Sequence, residues 1–176
     1  LGGVVKSLPV LCPNCMLPFL QLMNLDVRDP RLGLQSLGLA NLPLVFCWRC
    51  AVRQGELQYR VNASGQVELQ EWRSGAMDPG FPYAGYPVAF AEFQVDLKEL
   101  PARRDKKPRH QIGGQPLLLA GDPYLSCSIC GKAMVFLASV ADSMPSGESV
   151  AGNEWVQTVF WLCKGCAVVC VLQDLD

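Results

Sequence analysis

The sequence predicts a β-rich α+β fold that is internally duplicated, with each of two similar halves held together by four cysteines. The first observation behind this prediction is the spacing of the cysteines. They form four Cys-x-x-Cys pairs, namely Cys12/Cys15, Cys47/Cys50, Cys127/Cys130 and Cys163/Cys166. The two pairs of the first half are 31 residues apart, and those of the second half are 32 residues apart. Such similar spacing indicates two copies of one arrangement.

The second observation is a shared order of features around the cysteines. Residues 2–52 contain, in this order, Gly-Gly, Cys-x-x-Cys, Phe-Leu, Asp and Cys-x-x-Cys-Ala-Val. Residues 113–168 contain the same features in the same order. Because two coincident pairs could arise by chance but the whole order could not easily do so, a duplication is favoured. It predicts a first repeat over residues 1–75, a connector over 76–109 and a second repeat over 110–176.

The third observation is the β character of most of the chain. Apolar and polar residues alternate, or branched and aromatic residues cluster, in runs that are short enough for strands. Asn-Ala-Ser-Gly at 62–65 separates two such runs and predicts a hairpin. Segment 31–42 is predicted to hold a turn or a short helix, weakened by its two glycines. The predicted strands cover 44–46, 56–61, 66–72, 91–97, 133–140, 155–162 and 167–172.

Composition excludes several classes of protein. Half of the 176 residues are apolar, 18% are charged and the net charge is −1. This balance differs from that of disordered chains, which combine low hydrophobicity with high net charge. Dedicated nucleic-acid binders usually carry a basic surplus, which is missing here. No apolar run approaches the roughly 18 residues that a membrane helix requires.

The cysteine pattern predicts two structural zinc ions. Eight of the nine cysteines lie in tight pairs, which fits metal binding in a reducing compartment better than a disulfide framework. Four thiolates from two such pairs can surround one tetrahedral Zn²⁺. Zinc ribbons usually place about 15–20 residues between the pairs, so the longer segment between the two pairs of each half must form additional structure here. The predicted ligand sets are Cys12, Cys15, Cys47 and Cys50 for the first zinc, and Cys127, Cys130, Cys163 and Cys166 for the second.

Two alternatives to this scheme stay open. Pairing across the halves, for example Cys12/Cys15 with Cys127/Cys130, would also give four-cysteine sites. Disulfides or redox dithiols are the other use of Cys-x-x-Cys, but Cys12/Cys15 is followed by Met-Leu-Pro, a poor start for the helix that activates such thiols. The paired cysteines, which fit a reducing compartment, are the basis for the expected cytoplasmic setting.

No set of residues predicts catalysis. Catalytic zinc keeps an open coordination position, whereas both expected sites are filled by four cysteines. His110 is the single histidine, and nothing near it in sequence resembles a nucleophile or an orienting acid. It is expected to be a hydrogen-bonded loop residue, with a hydrolase role as the alternative. Cys170 lies in an apolar run and is expected to be a buried strand residue.

The connector is the predicted contact surface for an unidentified protein partner. It contains Phe81, Tyr83, Tyr86 and Phe90, and such aromatic density is typical of interfaces. The alternative is that these rings cap the core. A basic cluster, Arg103, Arg104, Lys106, Lys107 and Arg109, follows; it is expected to be a solvated linker, with docking to RNA or to an acidic partner as the alternative. The oligomeric state is not predicted.

The motifs resemble two known families. Segment 110–116, His-Gln-Ile-Gly-Gly-Gln-Pro, and segment 127–142 are the closest stretches, and Phe19-Leu20-Gln21 followed by 44–50 gives the same pattern in the first half. Together they resemble the YwqG-like family of bacteria and, more distantly, the programmed-cell-death-protein-2 family of eukaryotes. Many YwqG-like chains lack one or both cysteine sets, which is where this sequence departs from them.

The resemblance implies a duplicated, β-rich, intracellular protein without catalytic residues. YwqG-like proteins have been proposed as immunity or interaction proteins, and the eukaryotic family resembles a chaperone for a ribosomal protein. The function predicted from residues and resemblance together is a non-enzymatic, zinc-stabilised protein-interaction module, immunity-like or chaperone-like. The alternatives are a zinc-ribbon protein associated with nucleic acid or the ribosome, and a dithiol redox protein.

Overall fold

The computed structural model describes residues 1–2, 10–47, 57–72, 90, 92–98, 110–118, 123–141 and 156–175. Within these ranges the chain forms eight β-strands, two short 3₁₀ helices and no α-helix. The β-rich prediction is confirmed, whereas the predicted α component is absent from these ranges. The strands are β1 (Leu20–Asp26), β2 (Asn41–Phe46), β3 (Leu57–Val61), β4 (Val67–Trp72), β5 (Gln111–Ile112), β6 (Val135–Ala141), β7 (Val156–Cys163) and β8 (Val168–Leu175).

Six of the strands form one antiparallel sheet in the order β4-β3-β8-β7-β6-β5, and β1 and β2 form a separate antiparallel pair. The β3–β4 hairpin belongs to the first predicted repeat. Nevertheless β3 pairs with β8 of the second repeat, with Leu57 opposite Val171 and Arg60 opposite Val168. The larger sheet therefore crosses the boundary that the sequence predicts near residue 75.

The predicted turn at 62–65 closes the β3–β4 hairpin. The side-chain oxygen of Asn62 accepts hydrogen bonds from the backbone nitrogens of Ser64 and Gln66, both at 3.0 Å. Gly65 has a φ of 79°, a left-handed conformation that costs glycine nothing because it has no Cβ. Asparagine and glycine thus build this turn for different reasons, as the sequence indicates.

Segment 31–42 contains 3₁₀ turns rather than a longer helix. The two 3₁₀ helices, Pro30–Leu32 and Gln35–Leu37, are followed by Gly33 and Gly38, both in the left-handed conformation. Each glycine donates its backbone N–H to a carbonyl within the preceding turn, which ends the helix. The weak helix signal of this segment therefore becomes a compact loop between β1 and β2.

The buried apolar residues form two clusters on opposite faces of the six-stranded sheet. The larger cluster joins both predicted repeats, because β1, β2 and β3 contribute to it together with alternate residues of β6, β7 and β8. The smaller cluster contains Cys127 and Cys163 of the second cysteine group, together with Leu125, Met134, Trp161 and Cys170. Half-buried Phe136 and buried Trp161 pack edge to face there, with ring centroids 5.8 Å apart.

The structure differs from the prediction at one predicted strand and at one strand that the sequence does not predict. Residues 92–98 form no regular strand, so the predicted strand at 91–97 is wrong for the residues described. The strand β1 was not expected, because its sequence Leu-Gln-Leu-Met-Asn-Leu-Asp shows no clean alternation. Its first four residues are all buried, which erases the period of two that marks a half-exposed strand.

Candidate metal centres

The first Cys-x-x-Cys turn, at residues 10–19, is closed by backbone hydrogen bonds. The Cys12 nitrogen donates to the Leu17 carbonyl at 2.8 Å, and the Met16 nitrogen donates to the Cys12 carbonyl at 2.8 Å. Outside them, the Phe19 nitrogen donates to the Val10 carbonyl at 2.9 Å. Met16 has a φ of 59°, which only a tight turn would impose on a residue with a side chain. These bonds hold Cys12 and Cys15 on one side of the loop.

The second turn, at residues 125–134, repeats these bonds 115 positions later. Cys127 nitrogen donates to the Lys132 carbonyl at 2.9 Å, and Gly131 nitrogen donates to the Cys127 carbonyl at 2.8 Å. The outer bond runs from the Met134 nitrogen to the Leu125 carbonyl at 3.0 Å. Gly131 has a φ of 69° and so occupies the place that Met16 has in the first turn. Both turns therefore share one backbone design.

The strands after these turns also match. Five residues beyond Cys15, β1 begins at Leu20 opposite Phe46; five residues beyond Cys130, β6 begins at Val135 opposite Leu162. Each strand pair then has a register shift after its second pair of partners. The chain returns along β2 or β7 directly to the next cysteine, Cys47 or Cys163. The strand pair thus brings two distant Cys-x-x-Cys motifs to the same end.

The Gly-Gly motifs that precede both turns make the same contact. Gly2 donates its backbone N–H to the carbonyl of Leu22 at 2.9 Å, and Gly113 donates to the carbonyl of Leu137 at 2.8 Å. Leu22 and Leu137 are the residues at the two register shifts. Gly2 and Gly113 both have positive φ, near 69° and 62°. The first glycine of each motif therefore binds the strand that follows the turn, at the position of its register shift.

The second site brings four sulfur atoms together. Cys127, Cys130, Cys163 and Cys166 each offer a sulfur, and these atoms all lie within 4.8 Å of one another. The Cys130 and Cys163 sulfurs are 3.6 Å apart. Zinc–sulfur bonds of ~2.3 Å in a tetrahedron imply sulfur–sulfur separations of about 3.8 Å, so this spacing fits a four-thiolate metal site. It is far longer than the roughly 2.05 Å of a disulfide bond.

The first site shows the same spacing for three of its four predicted ligands. The sulfurs of Cys12, Cys15 and Cys47 lie within 4.8 Å of one another, and those of Cys15 and Cys47 are 3.7 Å apart. Cys50, the fourth predicted ligand, lies outside the described residues. In both groups the described cysteines come from one half of the sequence, as within-half pairing predicts.

The thiols at the two sites differ in acidity. In the first site, a hydrogen bond from Cys47 and backbone N–H groups of the turn lower the pKa of Cys12 to about 5. In the second, the backbone N–H of Lys132 lowers the pKa of Cys130 to about 7. The Cys130 sulfur in turn raises the pKa of Cys166 to about 12, and burial raises the pKa of Cys163. One thiolate therefore opposes ionisation of its neighbours, and a bound dication removes that penalty.

The remaining predicted site residues lie elsewhere. Cys170 is fully buried in the smaller apolar cluster, as its sequence context predicts. His110 is half-buried just before β5 and belongs to neither cysteine group. Phe90 is 5% exposed and packs in the larger core, which agrees with the alternative that the connector rings cap the core. The other aromatic residues of the connector and the basic cluster lie outside the described residues.

Two residues that the sequence analysis did not single out contact the segments next to the two cysteine groups. Gln58 and Tyr59 are neighbours on β3 and are almost fully buried, at 1% and 0% exposure. Tyr59 donates its hydroxyl to the Pro43 carbonyl at 3.0 Å and accepts a hydrogen bond from the Val45 nitrogen at 3.0 Å. Both partners lie on β2, the strand that leads to Cys47. The sequence did offer a signal for this role, since Gln58 is a polar residue between Leu57 and Tyr59 in the predicted strand 56–61.

No protein-family model, curated protein or solved structure matches the chain. The resemblance to the YwqG-like and programmed-cell-death-protein-2 families therefore stays a prediction. Among the described residues, no helix has the length and apolar character needed to cross a membrane.

Proposed function

We propose that this chain is a non-enzymatic zinc protein in which two four-cysteine sites hold a β-rich scaffold for protein interaction. The observation that carries the metal assignment is the group of four sulfurs at the second site, all within 4.8 Å of one another. Tetrahedral four-thiolate sites select zinc or iron–sulfur centres. Ligands that fill all four positions leave no place for a substrate or water, which favours a structural role over catalysis.

The metal assignment is tested by metal analysis of the natively purified chain together with a count of reactive thiols. We expect two zinc ions per chain and no thiol that reacts rapidly in the folded protein, since eight cysteines would bind zinc and Cys170 is fully buried. The double variant Cys127→Ser/Cys163→Ser is expected to contain one zinc ion per chain. Cys170→Ser, a buried cysteine outside both groups, is the matched control and should keep two. Iron with visible absorbance, or disulfides without metal, would contradict the proposal.

We also propose that the two sites arose by duplication of one unit. The support is the constant offset of 115 residues between equivalent backbone hydrogen bonds in the two turns. Equivalent register shifts in β1 and β6, and equivalent contacts of Gly2 and Gly113, extend the correspondence beyond the cysteines. Convergence on zinc binding alone would require the ligands to match, but it would not require these flanking contacts to match.

The interaction role is supported by apolar side chains exposed beside the second site. Tyr124 is 86% exposed and Val135 is 50% exposed. Tyr124 lies two residues before Ser126 and Val135 two residues after Ala133, and Ser126 and Ala133 form an isolated antiparallel bridge. Ile129, at the tip of that turn, is 48% exposed. Grouped apolar side chains at a surface are typical of contact sites.

This role is tested by capturing partners on the immobilised chain and comparing it with two double variants. One is Tyr83→Ser/Tyr86→Ser in the connector, and the other is Tyr124→Ser/Val135→Ser beside the second site. Loss of a specific bound protein, with zinc content unchanged, is the expected result. Loss of zinc in the connector variant would instead assign those tyrosines to the core. Retention on RNA that weakens with salt would favour the nucleic-acid alternative.

A further inference from the structure

The second metal centre is held by a residue from the other half of the chain. Gln58, on β3, is 1% exposed and its side chain bonds to the backbone on both sides of Cys127. Its oxygen accepts a hydrogen bond from the Ser128 nitrogen at 2.9 Å. Its nitrogen donates to the Ser126 carbonyl at 3.0 Å. A single amide side chain therefore fixes the two peptide groups that flank a metal ligand.

The first turn cannot be held in the same way. By the 115-residue offset, Ser126 and Ser128 correspond to Leu11 and Pro13. Pro13 has no backbone N–H to donate, and its ring fixes φ without any external partner. The first turn therefore carries its rigidity in its own sequence, whereas the second obtains it from β3.

The position of β3 makes this contact a link between the two sites. Side chains of successive strand residues point to opposite faces, so Gln58 faces the second turn while Tyr59 faces β2. Tyr59 holds the backbone of Pro43 and Val45, shortly before Cys47. Another contact joins the second site to the first half of the chain, since the Lys164 ammonium, inside the last Cys-x-x-Cys motif, donates to the carbonyl of Gly33 in the loop between β1 and β2 at 3.1 Å.

We infer that Gln58 is a positioning residue of the second metal centre, through which the hairpin of the first half sets how firmly that centre holds its metal. This inference rests on the proposed zinc sites. It assigns Gln58 no contact with the metal. The side chain acts by restricting the backbone of the turn that presents Cys127 and Cys130, so that both sulfurs stay where four-fold ligation needs them.

The test is site-resolved thiol labelling of the full-length chain. Zinc-loaded protein is treated with a chelator and N-ethylmaleimide, then digested, and labelling of each cysteine peptide is followed by mass spectrometry. With Gln58→Leu we expect labelling of Cys127 and Cys130 to become about tenfold faster, as the loss of the two part-buried hydrogen bonds to the turn implies. Labelling of Cys12 and Cys15 should change less than about twofold, because the first turn does not contact Gln58.

Two further variants make the result specific. Gln70→Leu removes an exposed glutamine from the same hairpin and should leave both labelling rates unchanged. Gln58→Met keeps the length of the side chain without its hydrogen bonds, and should reproduce the selective effect of Gln58→Leu. Equal acceleration at both sites in both Gln58 variants would indicate general unfolding and overturn the inference. Unchanged labelling of Cys127 and Cys130 would overturn it as well.

Failure of the zinc proposal would look different. In that case the unmodified chain would contain no zinc, and its cysteines would label rapidly whether or not chelator is added. Protection of both cysteine groups in the unmodified chain, without selective loss in the Gln58 variants, would leave the zinc proposal intact and remove only the role of Gln58.

Discussion

The turn that presents Cys12 and the turn that presents Cys127 share their backbone hydrogen bonds but differ in what stiffens them. The first has a proline after its leading cysteine, and the second has a serine whose N–H is bound by Gln58. In the left-handed position the first has Met16 and the second has Gly131. On the proposed role of Gln58, the same backbone turn is restricted locally by Pro13 in the first half and by a long-range contact at Ser128 in the second.

The largest expected effect comes from removing each metal site in turn. The second site joins the turn before β6 to the turn between β7 and β8, within the six-stranded sheet, whereas the first lies at one end of a two-stranded pair. We expect the double variant Cys127→Ser/Cys130→Ser to have a free energy of unfolding lower by about 5 kcal/mol or more, since structural zinc contributes directly to folding. Cys12→Ser with Cys15→Ser should cost about half as much. Denaturant unfolding measures both, and equal losses would contradict the ranking.

The next effect concerns the contact between β3 and β2. Tyr59→Phe removes the hydroxyl and leaves the Val45 nitrogen and the Pro43 carbonyl without that partner in a buried setting. Burial also raises the pKa of the Tyr59 phenol, so it is neutral and able to donate. We expect a loss of about 2 kcal/mol in unfolding free energy. Tyr124→Phe, which alters an exposed hydroxyl, is the control and should change stability by less than about 0.5 kcal/mol.

A smaller effect would show whether the two kinds of stiffening are interchangeable. Placing the proline of the first turn into the second, as Ser128→Pro, removes the N–H that Gln58 binds. In the double variant Gln58→Leu/Ser128→Pro, we expect Cys127 and Cys130 to be labelled a few-fold more slowly than in Gln58→Leu alone. This change corresponds to a stabilisation of about 1 kcal/mol or less, which proline supplies by restricting the backbone. Faster labelling in the double variant would mean that the backbone of the second turn does not fit proline.

The smallest effect separates the residues in the left-handed position. Gly131→Ala adds a side chain at a φ of 69°, where no atom lies within 4 Å of the added Cβ, so only backbone strain opposes it. We expect a loss of about 1 kcal/mol in unfolding free energy. Met16→Gly relieves the same strain in the first turn and should stabilise the chain slightly, because the added freedom of glycine in the unfolded state offsets part of the gain. Thermal unfolding with both sites zinc-loaded measures the two changes.

The cysteine groups could be predicted from the sequence because each Cys-x-x-Cys motif is a local turn, and the repeated order indicates which motifs belong together. The strands β3, β4, β7 and β8 could be predicted for a similar reason, since alternation and branched residues are local signals. The pairing of β3 with β8 could not, because it joins Leu57 to Val171 across more than half of the chain. Gln58 was missed for the same reason: its partners lie 68 and 70 residues away.

The insertion of β3 beside β8 has a consequence for how the chain folds. During synthesis the β3–β4 hairpin emerges about a hundred residues before the strand that completes its sheet. Until then one edge of β3 has no partner of its own, and such edges favour pairing with other chains. Contacts of high sequence separation also form slowly, since a long loop must close first. Topology thus imposes an order of folding: the first turn can close early, but the second acquires its Gln58 contact only after a segment of 68–70 residues has closed between them.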